Sequence, residues 1–474
     1  MSHPADEDDP FEDIRQKTDN PMRRLFQEYG RPNLGYFGLG FFGSVIARIL
    51  DLLPPLLLGI AVDAIFRDDA PYDLPLVPQA WLPGTTDGQF WFTIGAIAFA
   101  FFGGSLFHWV RNYGWNAFAQ NIQHDVRTDT YDKMQRLNMD FFAEKQTGEM
   151  MSILSNDVNR LERFLNDGMN SAFRLSVMVI GIAGILLWLN PRLAIVTLLP
   201  IPIIAVTTWK FIDVIQPKYA TVRKTVGHLN SRLENNLGGI KVIKTFNTES
   251  FESERVDDVS MEYYDANWDA INTRIKFFPA LRVIAGIGFV ITFMIGGLWV
   301  LGEAPTWITG GQSELSAGVF VSFILYTQRF IWPMAQFGSI INMYQRARAS
   351  SARMFGLMDT PSRIVEDPDA EELEVTEGRV EYDDVSFGYD DETIIEDITF
   401  DVDGGGTVAL VGPTGAGKST VLKLLLRMYD VDDGAIRIDQ QDIRDVTIPS
   451  LRKKLGYVSQ DTFMFYGTVS DNIE

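Results

Sequence analysis

Apolar residues gather in long runs before about residue 345, and a polar-apolar mixture typical of a soluble domain follows. The clearest run, FWFTIGAIAFAFFGGSLFHWV at 90–110, carries no formal charge and is long enough to cross a bilayer as a helix of about 30 Å. Five more runs accompany it, at 34–62, 175–189, 193–209, 283–302 and 316–341. The pattern predicts six membrane passes. Pro200, Pro202 and Pro333 remove helical hydrogen bonds inside two of them and predict bends there.

Between the passes, connections alternate in length and charge. Those after passes 2 and 4 are long and rich in Lys and Arg, from Arg111 to Arg174 and from Lys210 to Arg282, whereas the opposite connections hold only Arg67 and Arg192. The positive-inside bias places the long connections, the N-terminus and everything after pass 6 in the cytoplasm. Their mixed polarity and few prolines predict helices continuing beyond the bilayer as stalks. Thr147-Gly148-Glu149 and Gly238-Gly239 are the expected breakers at the stalk tips. The resulting organisation is an acidic tail and elbow at 1–33, a six-helix membrane domain at 34–355, an acidic linker at 356–377 and an α/β domain at 378–474.

A few charged and polar residues lie inside the runs. Arg48 and Asp51 have the i, i+3 spacing of an intrahelical ion pair. Tyr326, Gln328 and Arg329 sit near the middle of pass 6, where they are candidates to line an inner cavity; for Arg329, snorkelling or pairing with another helix is the alternative.

Composition changes the picture in three ways. The net charge of −21 and pI near 4.6 disfavour a broad nucleic-acid-binding surface. Acid excess with more arginine than lysine fits a halophilic cytoplasm, an expectation that loss of solubility in molar KCl would contradict. Without cysteine there are no disulfides and no thiolate metal sites or nucleophiles. The acidic, polar start MSHPADEDDPFEDIRQ does not read as a cleavable signal.

The soluble part carries the chemistry. Gly412-Pro-Thr-Gly-Ala-Gly-Lys418-Ser419 fits the P-loop pattern, after a strand-like TVALV and before a helical TVLKLLLRMY. Glycines let the backbone approach phosphate oxygens, and the amides of a helix start supply donors and a positive dipole end. Gly412, Thr414, Gly415, Ala416, Gly417, Lys418, Ser419 and Thr420 are thus the expected ATP cradle. Lys418 reaches the β- and γ-phosphates and Ser419 offers a hydroxyl to Mg²⁺.

With these residues in place, the whole chain resembles one half-transporter of the ATP-binding-cassette (ABC) exporter family. VEYDDVSFGYDD resembles the strand leading to the family's adenine-stacking aromatic, and KKLGYVSQDTFMF the segment ending in its Mg²⁺-contacting glutamine. The resemblance implies those roles for Tyr389 and Gln460; unaided, the first reads as a packing residue and the second as a loop residue after an apolar strand. FFAEKQTGE and GGIKVIKTF resemble the stalk tips that dock on nucleotide-binding domains, and ASSARMFGLMD the exit from pass 6. ATP, Mg²⁺, a second half-transporter and an unidentified cargo are what the resemblance implies as cofactors and partners.

Phosphoryl transfer to water needs more than a cradle. The family's signature segment, its acidic strand with the catalytic Glu and its switch His do not occur between Gln460 and Glu474, so the ATP-binding domain reads as C-terminally incomplete. Asp439, ending AIRID, is instead expected to be a strand-turn residue. Two functions stay open at this stage: an ATP-driven exporter, and an ATP-regulated membrane protein that does not pump or is the degenerate half of a heterodimer.

Overall fold

The computed structural model describes residues 20–474 except 69, 76, 146, 311–314, 330, 363, 390, 391, 461, 462 and 474. Most of the acidic tail, residues 1–19, therefore lies outside the described residues. The chain divides into two compact units, one of residues 20–126 and 157–351, the other bringing residues 127–156 together with 352–474.

The first unit is helical. Among the described residues, its longer helices are α1 (Leu34–Ala61), α2 (Thr86–Gln135), α3 (Met169–Leu189), α4 (Pro191–Leu198), α5 (Pro200–Gly238), α6 (Glu249–Val300), α7 (Ala317–Arg329) and α8 (Ile331–Met358), of which α2 and α8 run on into the second unit. Among the described residues, five helical runs are long and apolar enough to cross a bilayer: Pro21–Phe66, Thr86–Gln135, Thr147–Leu189, Pro191–Gly238 and Glu249–Val300. They hold the first five expected passes. The sixth corresponds to α7 and α8, whose junction at residue 330 is outside the described residues, as is the side chain of Pro333. Large apolar side chains face outward, Phe102 at 80% exposure among them, as a bundle solvated by lipid tails requires.

Lipid tails are as apolar as leucine, so close packing rather than water exclusion must hold such helices together. Glycine does this at two crossings. A Cβ on Gly114 of α2 would lie 2.3 Å from the Gly40 amide nitrogen of α1, and one on Gly43 would lie 2.8 Å from that of Arg111. Trp115 is fully buried beside this contact and donates its indole N–H to the Ser44 hydroxyl at 3.1 Å. Farther along α1, Gly59 meets Gly318 of α7, where a Cβ on Gly59 would come within 2.5 Å of the Gly318 carbonyl. There the buried Asp63 carboxylate accepts the Gly318 N–H at 2.6 Å, occupying a donor at a helix start.

The two stalk tips differ. Helix α5 ends at Gly238, and Gly239 with φ −90° and ψ 14° turns the chain into the helix Ile240–Phe246, as expected from the paired glycines. Asn247, left-handed at φ 53°, then turns it into α6. In the first connection Thr147, Gly148 and Glu149 do not break the helix but begin the segment Thr147–Ser152. The interruption comes just before, where Lys145 takes an extended conformation that ends Met139–Glu144. A Thr-Gly pair near a helix start breaks nothing, because the first-turn amides have no intrahelical partners to lose. In pass 4 the expected irregularity falls at Leu199, between α4 and α5, with Pro200 at the first position of the new helix.

The second unit contains a four-stranded antiparallel sheet, β1 (Val380–Tyr389), β2 (Glu392–Val402), β3 (Asp433–Ile438) and β4 (Gln441–Asp442), in the order β2-β1-β3-β4. Its helices include α9 (Lys418–Leu425) and α10 (Ile448–Lys454). Inward-facing side chains of the strands, among them Tyr382, Val385 beyond a register shift, Ile436 and Ile438, pack with Val421 and Leu424 of α9 and Leu451 of α10 into one core. Arg427 lies buried at its edge, donating to Asp430 at 3.0 Å and to the carbonyls of Ile443 and Val446 at 3.2 and 3.3 Å.

Two strand expectations fail here. TVALV at 407–411 and LGYVS at 455–459 form no ladder among the described residues. Val411 and Val458 stand 89% and 91% exposed. TVALV is rich in β-branched residues and LGYVS carries Tyr457 and Val458, but a strand needs a neighbour to take its backbone groups, and neither segment joins the four-stranded sheet.

Candidate functional site

The P-loop lies between the end of β2 and α9. Gly415 and Gly417 have φ 89° and 77°, a left-handed conformation in which a side chain would be strained. Gly417 also fits tightly, since a Cβ there would come within 3.2–3.3 Å of Ile394 and Ile395 of β2. This turn delivers the chain into α9 with Lys418 as its first residue.

Among the described residues, the amides of Gly415, Gly417, Lys418, Ser419 and Thr420 have no acceptor within the protein, and the loop around them is largely exposed. Unsatisfied amides at a helix start, approached through glycine, suit phosphate oxygens. The Lys418 ammonium donates to the carbonyls of Gly412 and Pro413 at 3.0 and 2.7 Å, spanning the loop it belongs to. Ser419 is exposed one residue farther on, whereas Thr420 is buried. The residues present therefore fit the triphosphate of ATP, with Ser419 as the available hydroxyl for Mg²⁺.

Tyr389 ends β1 beside this loop. Its hydroxyl lies 3.5 Å from that of Thr420, and its ring is held edge-on by Phe387 and Tyr429, with centroids 5.0 and 5.2 Å away. Sequence spacing gives no hint that residues 389 and 420 meet; the fold brings them together. Gln460 is different. It is exposed, no contact joins it to the cradle among the described residues, and its neighbours Asp461 and Thr462 lie outside them.

Asp439 takes its expected place in a turn. With φ 47° it follows β3, and its carboxylate accepts main-chain N–H bonds from Thr376, Glu377, Gly378 and Arg379 at 2.7–3.0 Å. These bonds, that of Gly378 foremost, hold its carboxyl far below the usual range for aspartate. It fastens the linker to the sheet and has no catalytic geometry.

In the helical unit, Arg48 and Asp51 form the expected pair at 2.9 Å. Arg329 takes two of the roles expected for it: it lines a cavity with Gln328 and bonds to another helix by donating to the Asp51 main-chain carbonyl of α1. Tyr326 is not among the residues that line this cavity. It is fully buried and donates its hydroxyl to the Leu52 carbonyl at 2.5 Å, because at this position α7 faces α1.

A bundle of long apolar helices, followed by an α/β unit whose glycine loop offers open amides at a helix start, defines a membrane protein with a nucleotide-binding domain. Comparison with known families makes this specific: residues 37–334 match the ABC transporter transmembrane region and residues 395–473 the ABC transporter domain. The chain belongs to the ABC transporter family, as an exporter-type half-transporter with a membrane domain and part of the ATPase domain. It is 31% identical over 453 residues to the uncharacterized ABC transporter ATP-binding protein YwjA of Bacillus subtilis, covering 95% of this chain and 74% of that protein. It is 32% identical over 371 residues to a fatty acid ABC transporter ATP-binding/permease protein of Mycobacterium bovis, covering 78% of this chain and 57% of that protein. Among solved structures, a bacterial Atm1-family ABC exporter with ATP bound superposes with a TM-score of 0.63 at 27% identity, over 94% of this chain and 74% of that one. The chain thus spans between 57% and 74% of the length of these proteins.

Proposed function

We propose that the protein is half of an ATP-driven exporter, working as a dimer in the cell membrane with its nucleotide-binding domain and N-terminus in the cytoplasm. Mg²⁺-ATP is held by Gly412–Thr420 with Lys418 on the β- and γ-phosphates, Tyr389 against the adenine, and Ser419 with Gln460 on the metal. Closure of two such domains around nucleotide is favoured only in the bound state, so ATP shifts the membrane helices by its differential affinity for the two arrangements. The observation that carries this reading is the set of open amides of Gly415 and of Gly417 through Thr420 at the start of α9, on a chain whose other unit is an ABC membrane region.

A second observation supports the coupling. Residues 127–156, which include the first stalk tip, belong to the same compact unit as the nucleotide-binding fold. The Mycobacterium bovis relative is named for a fatty acid, which makes lipid-like cargo the first to try. The test of nucleotide binding is a titration of the purified membrane-embedded protein with a fluorescent ATP analogue and Mg²⁺. Saturable binding, weakened about ten- to hundredfold in Lys418→Ala by loss of a charge-assisted contact, is expected. Equal affinity in the two proteins would remove the P-loop reading.

A further inference from the structure

The helical unit holds a half-open cavity of about 470 Å³, in the range of small-molecule sites. Part of its lining is polar: Arg48, Asp51, Arg174, Gln328, Arg329 and Gln336. The rest is apolar, with Phe101, Leu175 and Met178 among it. The charges do not balance. Asp51 is the single carboxylate among three guanidinium groups, and it is already engaged by Arg48 at 2.9 Å and by His108 at 3.2 Å. Arg174 donates to the neutral Gln336 side chain at 2.6 Å, and Arg329 to the neutral Asp51 main-chain carbonyl.

Arg111 lies within electrostatic range of Arg48 and Arg174 and adds to the same field. Two buried donors, Arg48 Nε and Arg111 Nη1, have no acceptor among the described residues. Like charges gathered within lipid-spanning helices are costly unless an anion joins them. Arg174 escaped the sequence reading, where it counted only as one of many loop cations. Its position, late in a charged connection but six residues into α3, was the available signal.

We infer that this cavity binds a single-chain amphiphilic anion, its carboxylate or phosphate between Arg174, Arg329 and the open edge of Arg48 and its alkyl chain along Phe101, Leu175 and Met178. This deepens the export reading by naming a cargo class and rests on it only in calling the ligand cargo. The test uses the full chain in a neutral detergent, titrated calorimetrically with dodecyl phosphate and with oleate, against dodecanol and dodecyltrimethylammonium. Saturable binding of both anions, at least about tenfold tighter than of the neutral or cationic chain, is expected, as are losses of about tenfold in Arg174→Gln and in Arg329→Gln and roughly a hundredfold in the double variant. Arg174→Lys should retain most of the affinity.

Nanodiscs separate the sources of the anion. Phosphatidylglycerol discs that suppress dodecyl phosphate binding where phosphatidylcholine discs do not identify a bilayer headgroup as the ligand, and equal binding in both identifies a free amphiphile. Comparable binding of dodecanol, or unchanged affinity in folded Gln variants, overturns the inference; should the variants not fold, the wild-type comparison of anion with alcohol decides it. A chain that binds these anions but shows no P-loop-dependent ATP affinity would sink the export reading and leave the anion site standing.

Discussion

Single residues here were legible where their chemistry is local. The glycines and Lys418 of the loop, the Arg48–Asp51 pair and the turn at Asp439 each follow from a few neighbours in sequence. Tyr326 was not legible, because whether it lines a cavity or packs depends on which face of α7 meets α1. Asp439 offers a prediction with a definite sign. Its folded carboxyl is depressed below the ordinary value, so the stability it contributes is present above about pH 4 and is lost as pH falls through the folded value. Asp439→Asn should lower the melting temperature, at pH 7, of the unit that holds it and flatten its acid dependence. An unchanged acid profile would contradict the account. Tyr389 offers a second. Loss of an aromatic face is worth about 1–3 kcal/mol in base stacking, so Tyr389→Ala should weaken ATP binding by roughly five- to hundredfold and Tyr389→Phe hardly at all, measured by the same titration.

Among the elements, helices were easier to foresee than strands. An apolar run long enough to span lipid makes its own hydrogen bonds, so α2 and α6 follow from composition and length. TVALV and LGYVS have strand chemistry but cannot form a ladder by themselves, which is why the sequence reading and the fold part company there. Packing between helices was hidden for a similar reason: Gly40 and Gly114 are ordinary glycines until the backbones meet. The crossing makes Gly114→Ala a sharp test, since the added methyl would strike the α1 backbone and must push the helices apart. A loss of about 1–3 kcal/mol is expected, seen as a lower melting temperature in detergent, whereas Gly95→Ala, where nothing lies within 4 Å, should be neutral. Arg427 belongs to this scale too, because it joins the end of α9 to the chain after β4. Arg427→Ala leaves buried carbonyls without donors and should cost about 3 kcal/mol of stability in urea unfolding of the protein.

At the scale of the whole molecule, the account joins a lipid-solvated bundle to a nucleotide grip through helices that run on beyond the membrane span. The family resemblance was readable from the order of five motifs around the P-loop, while the fold alone could show the arginine-rich cavity, whose members come from five separate helices. The central claim is that ATP at the P-loop acts on the stalk tips. Hydrogen exchange in the segments Thr147–Ser152 and Ile240–Phe246 of the membrane-embedded protein, with and without Mg²⁺-ATP, measures this most directly. The account predicts slower exchange in both segments with nucleotide and no change in Lys418→Ala; identical exchange with and without nucleotide in a wild-type protein saturated with ATP would contradict it.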